Sequence, residues 1–238
     1  MSAGPLVVSA HALDTGGGEG LIADAAVFAE LECRAACVAT SVVSHEPLPL
    51  DIVARQLEAA QLLGPVGAVR VGFVRGATQV ELIAGFVRRA APTTTVVAAP
   101  VRDGASPLLD TETQEAIRRH LYPAARVVLA RAADVAFLAG REVDDLDGLR
   151  DAAKRLRDQG ARAVVVAGLL VRGRVLDLLD DDGHVVLLDT SRIQAPRVPG
   201  LAGAHAAALA AHLARGLSLP SAVEAAQRYI GFRLVRGR

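Results

Sequence analysis

PLVVSAHALDTGGGEGLIADAAVFAE, residues 5–30, sets the fold. Its first six residues are a short, almost wholly apolar run of the kind a strand buried on both faces shows. A glycine-rich turn follows, Asp14-Thr15-Gly16-Gly17-Gly18-Glu19-Gly20, and then a helical run predicted over 21–32. Strand, glycine turn and helix in that order open a βα unit. Glycines at such a turn let the backbone approach a ligand, and the helix start beyond them favours an anion. The spacing is neither a dinucleotide Gly-x-Gly-x-x-Gly with its acidic ribose partner nor a Walker loop ending in Gly-Lys-Ser/Thr. A purely structural turn stays open beside a binding one.

Outward from this stretch the alternation repeats. Strands are predicted at 37–44, 68–74, 95–101, 126–130 and 163–167, with helices at 50–63, 79–90, 112–121, 132–140 and 146–159. The last of these stops at Gly160, as a glycine C-terminus should. Repeated β–α order predicts an α/β fold: a doubly wound, mostly parallel sheet with helices on both faces. Then the pattern changes. Residues 174–179 and 184–189 flank Asp180-Asp181-Asp182-Gly183, which signals a β-hairpin and so antiparallel strands at one edge. The three acids read as a charged turn, not a metal site. An Ala-rich helix at 204–213 follows Pro199-Gly200-Leu201-Ala202-Gly203, and a last helix covers 221–234. The amides around Gly200, Ala202, Gly203 and Ala204 could hold a phosphate through their donors and the helix dipole; close helix–sheet packing explains the same glycines. No linker or repeat divides the chain, so residues 1–238 are expected to form a single domain.

At 238 residues the chain can bury a full core without staples. Its formal net charge of zero predicts neither nucleic acid nor an anionic membrane as a partner. Cys33 and Cys37 are too few for a disulfide scaffold or a zinc site, and buried free thiols in a reducing cytosol are expected. No signal peptide and no membrane span are apparent.

The two glycine segments together resemble the ribokinase-like superfamily, and within it the hydroxymethylpyrimidine and phosphomethylpyrimidine kinases of thiamine biosynthesis. That family follows its first strand with Asp-Pro-Ser-Gly-Gly-Ala-Gly-Ile-Gln-Ala-Asp. Asp14, Gly17, Gly18, Gly20, Ala23 and Asp24 match it, and Phe28 follows at the family's spacing. Arg70-Val71-Gly72-Phe73-Val74 is similar to its Lys-Ile-Gly-Met-Leu. The resemblance implies a ribokinase-like fold, MgATP as cofactor, a homodimer, and a pyrimidine pocket formed by Asp14, Gly17, Gly18, Glu19, His45, Phe73 and Val101. His45 stands where the family has the glutamine that pairs with the pyrimidine edge, and an imidazole can still read a heteroaromatic ring. Glu19 replaces a small alanine and brings a carboxylate to the pocket. Phe73 replaces a methionine and is most simply a core residue.

The departures cluster at the chemistry. The family's Gly-Thr-Gly-Cys before the Ala-rich helix becomes Gly200-Leu201-Ala202-Gly203, and Gly203 has no side chain to move a proton. His205, two residues further along a helix, is expected to point away. The family's Thr-Pro-Asn-x-x-Glu becomes Leu129-Ala130-Arg131-Ala132-Ala133-Asp134, its Lys-Gly-Gly-His begins at Ala167, and the Asp of its Asp-Pro-Val is Ala99. Lys154 is the only lysine that could serve a phosphate. Phosphoryl transfer relies on such groups for charge stabilisation. The expectation is therefore a small-pyrimidine binder with impaired or absent transfer and no assigned catalytic residue or metal ligand. The alternatives are an active kinase of the same substrates and a kinase of another small alcohol.

Overall fold

The computed structural model describes residues 4–42, 46–91, 93–98, 102–103, 106–139, 143, 145–171, 174–190 and 200–236. Six strands run parallel: β1 (Leu6–Ala12), β2 (Arg34–Val42), β4 (Val66–Val71), β5 (Thr95–Val97), β8 (Val127–Arg131) and β9 (Ala163–Val171). The two-residue β3 (Glu46–Pro47) closes one edge antiparallel to β2, and β10 (Arg174–Asp181) and β11 (His184–Thr190) form the hairpin on the other. The order across the sheet is β11-β10-β9-β8-β5-β4-β1-β2-β3. Between β5 and β8 lies a separate small ladder, β6 (Arg102–Asp103) with β7 (Ser106–Pro107).

The helices are α1 (Gly20–Glu30), α2 (Leu50–Leu62), α3 (Ala77–Ala90), α4 (Thr111–Ala116), α5 (Ala132–Ala139), α6 (Leu146–Asp158), α7 (Leu201–Ala214) and α8 (Leu219–Arg236). They fall on two faces because successive strand residues point to opposite sides. Leu6, Val8 and Ala10 of β1 pack with Val53 and Leu57 of α2, Ile83 of α3 and Leu149 of α6. Val7 packs the other way, with Val27 and Phe28 of α1, Leu209 of α7 and Val223 of α8. No helix among the described residues is long and apolar enough to cross a membrane.

The same alternation corrects the expectation for the cysteines. Ala36 and Val38 point into the core, so Cys37 between them is exposed, while Cys33, outside the strand, is buried. The predicted helix at 112–121 is α4 continued by a π turn, Ile117–Leu121. The Ala-rich helix starts at Leu201 rather than at 204, so Gly203 lies inside its first turn. The hairpin turn is Asp182-Gly183, both at positive φ as a tight two-residue turn requires. Asp180 and Asp181 are both ion-paired: buried Asp180 meets Arg157 at 2.9 Å, and partly exposed Asp181 holds Arg126 through two hydrogen bonds.

Candidate functional site

After β1 the chain turns to the α1–α7 face, and after β4 it turns to the α2–α3 face. The carboxyl ends of these neighbouring strands therefore diverge, which is where open α/β sheets hold ligands. Alternation also puts Ser9 and His11 of β1 and Arg70 of β4 on the α1–α7 side, inside an otherwise apolar layer. Ser9 and Arg70 are direct partners across the two strands.

Arg70 is 1% exposed. Its Nε stands 3.2 Å from Asp24 Oδ2 of α1, at ion-pair distance but off the hydrogen-bond line, and its Nη1 has no hydrogen-bond partner among the described residues. The Ser9 hydroxyl donates to the same Asp24 oxygen at 2.6 Å. Burial raises the Asp24 carboxyl above the usual carboxylate range, opposed by the Arg70 charge and the Ser9 hydrogen bond. Burial likewise works against the Arg70 cation, opposed by Asp24 and then by Glu19. His11 Nδ1 accepts from the Ala12 amide at 2.7 Å and the Phe73 amide at 3.3 Å, which leaves the ring proton to Nε2. A Cβ at Gly72 would run into Arg70 Nη1 and the His11 ring, so only glycine lets the two side chains share that space.

Above this polar layer the two glycine segments meet. Gly200, at φ +74, caps α7, and a Cβ there would collide with the Gly18 carbonyl oxygen. Within the first loop, Asp14 takes the amides of Gly16, Gly18 and Glu19 at 3.0, 3.1 and 3.0 Å. Three of that loop's amides are thus spent on its own carboxylate, and Gly17's on the Asp14 carbonyl oxygen. The first turn of α7 differs. Gly200 supplies no side-chain cap, the first bond back to its carbonyl comes from Ala204, and the amides of Leu201, Ala202 and Gly203, like those of every helix start, have no intrahelical acceptor and none among the described residues. Arg70 Nη2 lies 3.7 Å from where a Gly203 Cβ would be. Free amides backed by a buried guanidinium suit an anionic oxygen group such as a phosphate.

Two further groups flank this turn. Arg131, at the end of β8, grips both oxygens of Asp134, the Nη2 contact at 2.9 Å. Among the described residues no group of three or more His, Cys, Asp or Glu is placed to hold a metal. On the inner side of α7, His205 is 5% exposed and its Nε2 has no hydrogen-bond partner among the described residues. Burial pushes its pKa down, with the Asp177 charge opposing. Asp177 sits at a register shift in β10 and accepts the Gly168 amide at 2.7 Å. Gly203 looks toward Arg70, and the Asp177 charge on β10 acts on the buried His205 ring.

Of the residues predicted for the pocket, the structure brings Asp14, Gly17, Gly18 and Glu19 to the same end of the sheet as Gly200, Ala202, Gly203 and Ala204. Phe73 is 1% exposed, in the α2–α3 core, and its carbonyl accepts the Thr40 hydroxyl at 2.6 Å. His45, Val101 and Ala99 lie outside the described residues. Sequence reasoning passed over Ser9, His11 and Arg70. Their signal was present: polar residues at every second position of strands whose other residues are apolar.

The sequence model of the phosphomethylpyrimidine kinase family matches residues 14–236. A hydroxymethylpyrimidine/phosphomethylpyrimidine kinase from Streptomyces coelicolor is 30% identical over 241 residues, 98% of this chain and 90% of that one. The Staphylococcus aureus pyridoxal kinase, solved with AMP-PCP and pyridoxal, superposes with a TM-score of 0.87 at 26% identity, covering 98% of this chain and 88% of that one. A phosphomethylpyrimidine kinase from Clostridium difficile, at 22% identity, shares the fold with a TM-score of 0.82 over 96% of this chain and 98% of its own.

Proposed function

The chain belongs to the phosphomethylpyrimidine kinase family, with close likeness to pyridoxal kinases, and on that footing we propose that it is an ATP-dependent kinase of a small heteroaromatic alcohol. The substrate class is hydroxymethylpyrimidine, its phosphate, or a pyridoxal-like ring. One observation carries the reading: the first turn of α7, whose amides have no acceptor among the described residues and which has the Arg70 guanidinium near Gly203, faces the 14–20 loop at the carboxyl end of β1. That turn would hold the transferred phosphate. Phosphoryl transfer needs chiefly positioning and charge stabilisation, and these groups supply both kinds. Bound MgATP would bring the phosphoryl group and its charge-neutralising cation. Arg131 and Asp134 occupy positions that the resemblance aligns with the family's Mg²⁺–phosphate motif. The ring would lie against Gly18 and Glu19, with His45 and Val101 as further candidates that the family resemblance supplies.

A second reading, binding with little or no turnover, is favoured by Gly203. It has no side chain where the family places its proton-handling cysteine, and loss of such a group costs about 10²–10⁴-fold. ADP release coupled to an indicator enzyme, with purified protein, MgATP and either hydroxymethylpyrimidine or pyridoxal, separates the two. Turnover near the roughly 1–100 s⁻¹ usual for kinases supports the first. Binding of substrate and nucleotide with a rate at the background level supports the second.

A further inference from the structure

We propose that Arg131 is the cation that holds the phosphate chain of a nucleoside triphosphate over this cleft, with Asp134 as the residue that positions it. The ligand class rests on the kinase reading; the residue's place rests on the sheet itself. Val127 and Leu129 of β8 pack in the layer of α1, α7 and α8, and Val128 and Ala130 pack in the opposite one. Arg131 is next in that alternation and so belongs to the α7 side. It is the last residue of β8, at the carboxyl edge where open α/β sheets bind ligands. Arg70 of β4 takes the same face by the same count, since Ala68 packs in the α7 layer and Val69 in the other.

Arg131 pairs directly with Ala167 of β9. Ala163 and Val165 pack in the α7 layer and Val164 and Val166 in the other, so Ala167 shares the face of Arg131. The resemblance expects a lysine at 167. A cation is therefore absent from β9, and another stands directly opposite on β8, about 4.8 Å across the sheet. The charge has moved one strand sideways and has kept its face and its height. Asp134, itself buried, takes Nε and Nη2, and no described residue takes Nη1. Such a part-exposed pair adds little to stability. It does fix the plane of the guanidinium, so less side-chain entropy is lost when a phosphate binds. The Asp134 hydrogen bond strengthens the Arg131 charge most, and Glu19 of the 14–20 loop adds to it. Arg70, whose charge burial opposes and Asp24 sustains, feels the same Glu19 carboxylate. Both cations thus lie within electrostatic reach of one loop residue.

The test is titration calorimetry with the magnesium complex of AMP-PCP, whose terminal phosphate cannot be transferred. The proteins are wild type, Arg131→Lys, Arg131→Gln and Arg131→Gln/Asp134→Asn. Both glutamine variants should bind about ten- to a hundredfold more weakly than wild type, as loss of a charged donor to a phosphate implies. Arg131→Lys should recover most of that loss, since an ammonium serves a phosphate as a point charge. The salt dependence of affinity should be shallower without the cation, which a merely structural loss would not produce. If Arg131→Gln alone fails to fold, the double variant carries the test, because it leaves no orphaned carboxylate. Affinity of the double variant within about twofold of wild type overturns the inference, since Arg131 then does no more than offset Asp134. A loss in Arg131→Lys as large as in Arg131→Gln, or an unchanged salt dependence, overturns it too. Absence of AMP-PCP binding by wild type overturns both this inference and the kinase reading. Binding that depends on Arg131, with no ADP released from MgATP and either hydroxymethylpyrimidine or pyridoxal, overturns the kinase reading alone.

Discussion

Arg70 is a cation in a layer built of alanine, valine and phenylalanine. A buried charge persists only with a partner, and here Asp24 is that partner, itself steadied by Ser9. The arrangement needs room as well as charge, and Gly72 provides it. A methyl at Gly72 would push on Arg70 Nη1 and the His11 ring together. Overpacking costs about 1–3 kcal/mol, and disturbing a buried ion pair adds to that. Gly72→Ala should therefore lose about 3 kcal/mol or more in urea unfolding, with little change in slope. A loss under about 1 kcal/mol would mean that the two side chains have somewhere else to go.

At the scale of elements, α7 joins the site to the core. It is apolar on all sides, and most of its residues are buried. His205 enters the interior with it, and burial lowers its pKa from the ordinary 6.5. The folded protein thus takes up this proton less readily than the unfolded chain. The contribution to stability is full above about pH 6.5 and is lost as pH falls below it, because the unfolded state then binds more protons. Unfolding free energy should fall between neutral pH and about pH 5.5. His205→Leu should flatten that slope relative to wild type by up to one proton's worth, measured as the difference between denaturation midpoints across the range. Equal slopes would show that His205 is charged in the folded protein, held by Asp177. His212, also depressed by burial, stays in both proteins and cancels in the comparison.

For the whole molecule, the decisive relation is between residues 14–20 and residues 200–203, nearly two hundred positions apart in the chain. A ligand that binds across them stabilises the fold by linkage, whether or not chemistry follows. MgATP and hydroxymethylpyrimidine, added singly, should each raise the melting temperature, and the two together should raise it further. About 100 Kd of a ligand adds about 2.7 kcal/mol, a shift of several degrees for a domain of this size. No shift with either would remove the cleft as a binding site. A shift without ADP release would place the protein with the second reading.

The sequence alone determined the architecture, because hydrophobic periodicity and punctuation are local properties. The PLVVSA run, the glycine turn and the Asp182-Gly183 hairpin each carry their structure within a few residues. The family motif at Asp14, Gly17, Gly18, Gly20 and Asp24 was legible for the same reason, and it pointed to the right family. What the sequence did not decide was which polar residues face one another. Arg70 and Asp24 lie on different elements, and their pairing follows from strand order and from which face each alternation selects. Gly203 reads as a missing side chain in one dimension. In three it is a first-turn residue of α7 whose Cβ position lies 3.7 Å from a buried guanidinium, an approach that depends on the path of a distant strand.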